Sequence, residues 1–168
     1  MRGEVVRRPY AHALEQMTYV EALRWLAKKY HIEIHERELS EEEKREQSDR
    51  ESMFIVNEWA MGYFSDKLHN DPDGVAIGMQ YFRSRGFRDD IIKKFKLGYD
   101  LQNARALATE ALSKGYKEEF ILKTGICYKT DRGDLIDRYA GRVIFPWIGI
   151  SGKVVGFGGR LLDSRTKG

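Results

Sequence analysis

Val56, Trp59, Ala60, Tyr63, Phe64 and Leu68 fall three and four residues apart. That spacing lays one apolar stripe along a helix, and such a stripe has to be covered by the rest of the chain. Upstream, Ser40 and Glu43 form a capping-box pattern, in which each side chain satisfies the other's backbone N–H. Glu36 to Glu51 carries eight acids against four bases, so the first half of the helix is expected to be solvated. The pattern predicts one long helix from about Ser40 to about His69. Asp71-Pro72-Asp73-Gly74 is expected to end it as a turn.

Shorter elements surround this spine. Thr18 and Glu21 repeat the capping box before a helix running to about Tyr30. HIEIHEREL (residues 31 to 39) reads as a strand or an extended linker. Further helices are expected over Val75 to Arg83, over Arg88 to Phe95 stopping near Gly98, over Asn103 to Ser113 and over Lys117 to Lys123. After Gly125 the pattern changes. Ile126-Cys127-Tyr128 reads as a strand with a turn over Lys129 to Asp134. Arg142 to Ile148 and Lys153 to Leu162 read as a hairpin joined through Ile150-Ser151-Gly152. Pro146 donates no hydrogen bond, so its part of the strand is expected near an edge or a bulge. Helices first and a small sheet last give an α+β fold, its sheet mainly antiparallel, with a C-terminal hairpin.

The residues exclude several chemistries. One cysteine, Cys127, and four scattered histidines cannot build a self-contained zinc site. Gly152 to Gly159 is glycine-rich but lies inside a strand and ends in no Gly-Lys-Ser/Thr, so it is not a phosphate loop. Cys127 has no histidine near it in sequence and is expected to be a structural thiol. Asp131, Asp134 and Asp137 read as a turn rather than a cation site. No apolar run reaches the roughly 20 residues of a membrane helix, and no signal peptide is present, so a soluble, cytoplasmic protein is expected.

The basic residues are more informative. Arg83 to Lys96 holds six bases and two acids, and Arg138 to Lys167 six bases and one acid. Arg142, Lys153 and Arg160 fall on the expected hairpin. Gly156, Gly158 and Gly159 would leave the strand surface low enough for a sugar-phosphate chain to approach. Trp147, Phe157 and Tyr139 would offer stacking surfaces. Composition alone leaves a merely soluble hairpin equally open.

Longer blocks go further. DRYAGRVIFPWIGISGKVVGFGGRLLD resembles the bacterial-type replicative DNA primase family, which carries Arg-Val-x-Phe-Pro, a turn, then Gly-Arg/Lys-Val-x-Gly-Phe-Gly-Gly-Arg. YFRSRGFRDDIIKKFKLGYD resembles the family's Arg-Gly block followed by Ile-x-x-Phe-x-Leu-Gly-Tyr. MTYVEALRWLAKKYHIEI is similar to the last helix of its zinc-binding domain. The likeness spans about residues 16 to 164 in the family's order.

The resemblance implies synthesis of short RNA primers on single-stranded DNA. It implies a division into residues 1–35, the end of a zinc-binding domain and a linker, and residues 36–168, the N-terminal subdomain of the RNA polymerase core. The zinc ribbon itself, the acidic, metal-binding (TOPRIM-like) subdomain and the helicase-binding domain are unmatched, so this chain alone is expected to be inactive. The complete enzyme would use zinc and magnesium, and its partners would be template DNA, nucleotides and the replicative helicase. Matched by position, Arg142, Lys153, Arg160, Arg83, Arg85 and Arg138 are the expected nucleic-acid contacts, with no catalytic or metal residue in the chain. Ile148 to Ile150 is neutral where the family often carries charge. The alternative is a stand-alone primase-derived module that binds nucleic acid or a protein partner without catalysis.

Overall fold

The computed structural model describes residues 19–33 and 39–162. The HIEIHEREL segment falls mostly outside them, as does Thr18 of the first capping box. Helix α1 runs Tyr19–Tyr30 and is ended by His31 in the left-handed region, φ 53°. Its Tyr19, Val20, Leu23 and Tyr30 are exposed, and α1 contributes to neither of the two apolar clusters described below.

Helix α2, Glu41–Asn70, is the spine. The Ser40 capping box is complete: the Glu43 N–H donates to Ser40 Oγ at 3.2 Å, and the Ser40 N–H donates to Glu43 Oε2 at 2.8 Å. Every buried residue of α2 lies in its second half, from Val56 to Leu68, as the stripe requires. The acidic first half is mostly exposed, with Asp49 among its partly buried residues, its carboxylate receiving Lys123 Nζ at 2.6 Å.

The expected turn at residues 71 to 74 is instead a helix restart. Only Asp71 is extended, at φ −88° and ψ 136°. Its side chain accepts from the Asp73 N–H at 2.9 Å, and its carbonyl accepts from Val75 at 2.9 Å. Pro72 then stands at the start of a helix, where its missing N–H costs nothing. The turn residues were recognised, but the same Asp-Pro pair also caps and opens helices. A π-helical turn, Gly74–Met79, leads into α3, Gln80–Ser84.

Helix α4 follows at Asp89–Lys94. Lys96, at φ 52°, ends it; Gly98 does not. Gly98 and Tyr99 form a two-residue strand, β1, too short to carry any alternation legible in sequence. Helices α5 (Ala106–Ser113) and α6 (Glu118–Lys123) precede a small hairpin, β2 (Cys127–Lys129) with β3 (Leu135–Asp137). The C-terminal hairpin is β4 (Arg142–Ile148) with β5 (Val154–Leu161), antiparallel, with a register shift at Trp147/Ile148.

The larger sheet has the order β1-β4-β5. β4 is therefore the middle strand, not an edge. β1 pairs only with Val143 and Ile144, so the far side of β4 is open again by Pro146, and the bulge follows one residue later. The sheet has an apolar cluster on each face. Ile144 joins Val56, Ala60, Phe64 and Ile121 on one side. Val143 joins Leu68, Phe82, Ile92 and Tyr99 on the other. Asn57, buried in α2, donates from Nδ2 to the Val154 carbonyl at 3.2 Å and ties the start of β5 to the spine.

β1 lies against α2 at a glycine. A Cβ at Gly98 would stand 2.5 Å from Phe64 Cβ and 2.8 Å from the Phe64 carbonyl carbon. Gly98→Ala should therefore destabilise the protein by about 1–3 kcal/mol through overpacking against backbone. Urea unfolding of the variant beside wild type measures it; an unchanged midpoint would show that β1 does not need this approach.

Candidate nucleic-acid interface

Strand register decides which face of the hairpin each residue occupies. Phe145 pairs with Gly158, Trp147 with Gly156 and Val143 with Arg160. Directly opposed residues share a face, so Arg160, Gly158, Gly156, Phe145 and Trp147 all lie on the side that packs on α3 and α4. Ile144, Gly159 and Phe157 lie on the side that packs on α2.

The three glycines have different reasons. A Cβ on Gly156 would meet nothing within 4 Å, and one on Gly158 only the Phe145 carbonyl at 3.9 Å. These two leave bare backbone, as expected of a surface that a polymer approaches. Gly159 makes room for Tyr139, whose Cδ1 would sit 2.5 Å from an added Cβ. Phe157 and Tyr139 are likewise not stacking surfaces. Phe157 packs edge-on to Phe64 at 5.3 Å, and the Tyr139 hydroxyl donates to the Phe157 carbonyl at 2.9 Å. Trp147 remains, 73% exposed.

The six expected basic contacts do not form one patch. Arg160 is exposed, and its side chain makes no hydrogen bond or ion pair among the described residues. Arg138 Nε donates to the Gly125 carbonyl at 2.6 Å and its guanidinium lies 5.6 Å from the Tyr128 ring. Arg142 Nη1 donates to the Arg138 carbonyl at 3.0 Å. Arg138 lies in the turn before β4, and Arg142 opens that strand. Lys153 is at the other end of the hairpin, 5.0 Å from the Phe54 ring in a hollow also lined by Glu51 and Glu58. Arg83 is held by Asp89 in a two-pronged ion pair of 3.1 and 2.8 Å, and Arg85 lies 5.6 Å from the Tyr81 ring.

Asp137 has a structural role that its spacing does not reveal. It is buried in β3, and its two oxygens accept from the N–H groups of Leu107 and Ala108, each at 2.9 Å. Those donors open α5 and have no partner within the helix. Cys127 is buried beside it, Sγ to Asp137 Oδ1 3.7 Å, and burial first, then the Asp137 charge, pushes its thiol well above the ordinary range. Asp134 pairs with Arg105 at 3.1 Å. Among the described residues no group of three or more His, Cys, Asp or Glu is placed to hold a metal. No helix among them is long and apolar enough to cross a membrane.

Sequence reasoning missed Asp100. It is fully buried where β1 continues under Arg142: its N–H donates to the Arg142 carbonyl at 2.9 Å, and its own carbonyl accepts from Gly141 at 3.1 Å. Neither carboxyl oxygen has a well-formed hydrogen bond. Burial, and then the Asp137 charge, raise its pKa to about 8, against smaller opposing pulls from the Leu101 N–H and Arg142. An isolated aspartate in the sequence carries no mark of this.

Residues 63–168 match the family described as DNA primase catalytic core, N-terminal domain. The chain belongs to this family. The primase of Clostridium acetobutylicum is 33% identical over 150 residues, 89% of this chain and 24% of that protein. The chain thus spans about a quarter of the length of the curated relatives it matches. A primase catalytic domain, DnaG, solved bound to single-stranded DNA, has a TM-score of 0.66 at 23% identity, covering 72% of this chain and 38% of that one. The zinc-binding and RNA polymerase domains of the Aquifex aeolicus primase give a TM-score of 0.62 at 23% identity, covering 95% and 36%. At that identity the two structures establish the fold. The primase family match begins at Tyr63, within the spine's apolar half, and runs on through the hairpin; Val56 and Ala60 of the first cluster precede it.

Asp100 makes stability pH-dependent in a definite direction. Its folded pKa lies above the ordinary aspartate value, so the protonated form is favoured by folding. The contribution is fully present below about pH 4 and is lost as pH rises through about 8. Asp137, also raised by burial, acts in the same sense. Asp100→Asn should narrow the difference between urea midpoints at pH 5 and pH 8.5. An undiminished difference in the variant would assign the pH dependence elsewhere.

Proposed function

We propose that this chain is the N-terminal segment of the polymerising core of a DNA primase and forms one wall of the cleft that holds the template during primer synthesis. Residues 36–168 would be that subdomain and residues 1–35 the end of a zinc-binding domain. The observation that carries the reading is the state of Arg160. It sits in the Gly-Phe-Gly-Gly-Arg strand that marks the family, on the face bared by Gly156 and Gly158, exposed and with no ion pair among the described residues. Phosphate is the natural partner of a free, exposed guanidinium on such a strand.

The other basic residues rank by what they already hold. Arg138, Arg142 and Arg85 keep guanidinium N–H groups to spare beside their carbonyl or ring contacts. Arg83 is paired with Asp89, and Lys153 stands in a hollow also lined by Glu51 and Glu58, so these two should contribute least. Magnesium and incoming nucleotide would be held by carboxylates outside this segment, and zinc by a separate ribbon. Polymerisation, nucleotide binding and helicase docking are therefore assigned to the whole enzyme, not to this wall.

Two measurements test this. Supplied with template, magnesium and nucleotides, the chain should make no primer; a product would show that the segment holds its own metal site. In titrations of single-stranded DNA at several salt concentrations, Arg160→Ala should reduce the salt slope by roughly 0.7. Arg142→Ala should act in the same sense, and Arg83→Ala less than either. A slope untouched by Arg160→Ala would remove the phosphate contact.

A further inference from the structure

A groove of about 720 Å³ runs between the C-terminal end of α4 and the open side of the β4–β5 hairpin. Phe145 lines it from the sheet face, with Pro146 and the bare backbone of Gly158 beside it. Its two rims are aromatic: Phe95, 53% exposed, follows α4, and Trp147, 73% exposed, stands on β4. Among the described residues both rings keep more than half of their residue's surface open. Lys94 lines the same groove, its Nζ 6.0 Å from the Phe95 ring. Among the described residues no carboxylate lines it. The two acids that open α4 are engaged elsewhere, Asp89 with Arg83 at 2.8 Å and Asp90 with Arg88 at 2.7 Å.

We infer that this groove is a stacking slot for an unpaired nucleobase, with Trp147 and Phe95 as the platforms and Lys94 and Arg160 facing the flanking phosphates. The ligand has to be flat and apolar at its centre and anionic at its edges. The ring faces answer the first requirement, and the lysine, the absence of lining acids and Arg160 on the same sheet face answer the second. Two bare glycines, Gly156 opposite Trp147 and Gly158 opposite Phe145, let the sugar-phosphate chain lie close to β5. An unpaired base fits where a paired one does not, because in a duplex both faces of every base are already stacked. The inference rests on the nucleic-acid reading of this hairpin and adds to it a selection for single strands.

The test uses the whole chain and a fluorescently labelled oligo(dT), followed by anisotropy. Trp147→Ala should weaken binding roughly 5- to 150-fold, the range for losing one stacked base. The salt slope should not change, since no charge is removed, and Trp147→Phe should retain most of the affinity. An abasic oligonucleotide of the same length should bind wild type weakly and be insensitive to Trp147→Ala. Trp147 is largely in solvent, so its variants fold; an unchanged urea midpoint checks this. Wild-type affinity of Trp147→Ala for oligo(dT) overturns the slot. So does an equal loss of affinity for duplex and single strand, or a concentration-dependent self-association that Trp147→Ala abolishes while DNA affinity stays the same. If Arg160→Ala lowers the salt slope but Trp147→Ala does nothing, only the slot fails. If neither variant has an effect, the nucleic-acid reading fails with it.

Discussion

Phe64 Cβ lies 2.5 Å from where a side chain on Gly98 would begin. That contact brings the two residues of β1 down onto α2, and the remaining sheet is built outward from them. β4 takes its position from β1 through Val143 and Ile144, and β5 takes its position from β4. The middle strand then has one cluster above it and one below, with Ile144 and Val143 as adjacent residues pointing opposite ways. Asn57 fixes the other end of the hairpin to the same helix. The proposed nucleic-acid surface is thus set by α2, although no residue of α2 lines the groove beside Trp147.

Where a feature is local, the sequence displays it. The Ser40 cap, the length of α2, the solvated acidic half and the two long strands all follow from spacing and side-chain type within about ten residues. Where a feature depends on a distant partner, it is hidden. β1 is two residues long and exists because β4 is there to pair with it. Asp137 looks like one of three turn aspartates, yet it serves as the N-terminal cap of a helix some 30 residues earlier. Gly159 resembles its neighbours in the strand but answers to Tyr139. Phe157 and Tyr139, which look available for stacking beside basic residues, fill the space between the sheet and Phe64. The Asp71-Pro72 pair has turn composition and helix-opening geometry, and only the carbonyl partner of Val75 separates the two.

The candidate site shows the same division. The family resemblance pointed to the hairpin and its arginines, and the family match covers that hairpin. It could not tell which positive charges were still free. The ion pair between Arg83 and Asp89 and the acidic hollow around Lys153 are tertiary facts that rank those residues below Arg160. Nor could it tell that Trp147 and Phe95, separated by some 50 residues of chain, stand at the rims of one groove. Asp100 adds a buried carboxyl directly beneath the Arg142 backbone, so the base of the arginine-bearing turn is the part of the fold most sensitive to pH.

The central claim is that the hairpin face turned toward α4 is the face that meets single-stranded DNA. Photo-crosslinking the chain to an oligonucleotide carrying 5-iododeoxyuridine, followed by peptide mapping, tests it directly. The account predicts adducts on the peptides that contain Trp147 and Phe95. Adducts confined to α1 or to the acidic half of α2 would contradict it.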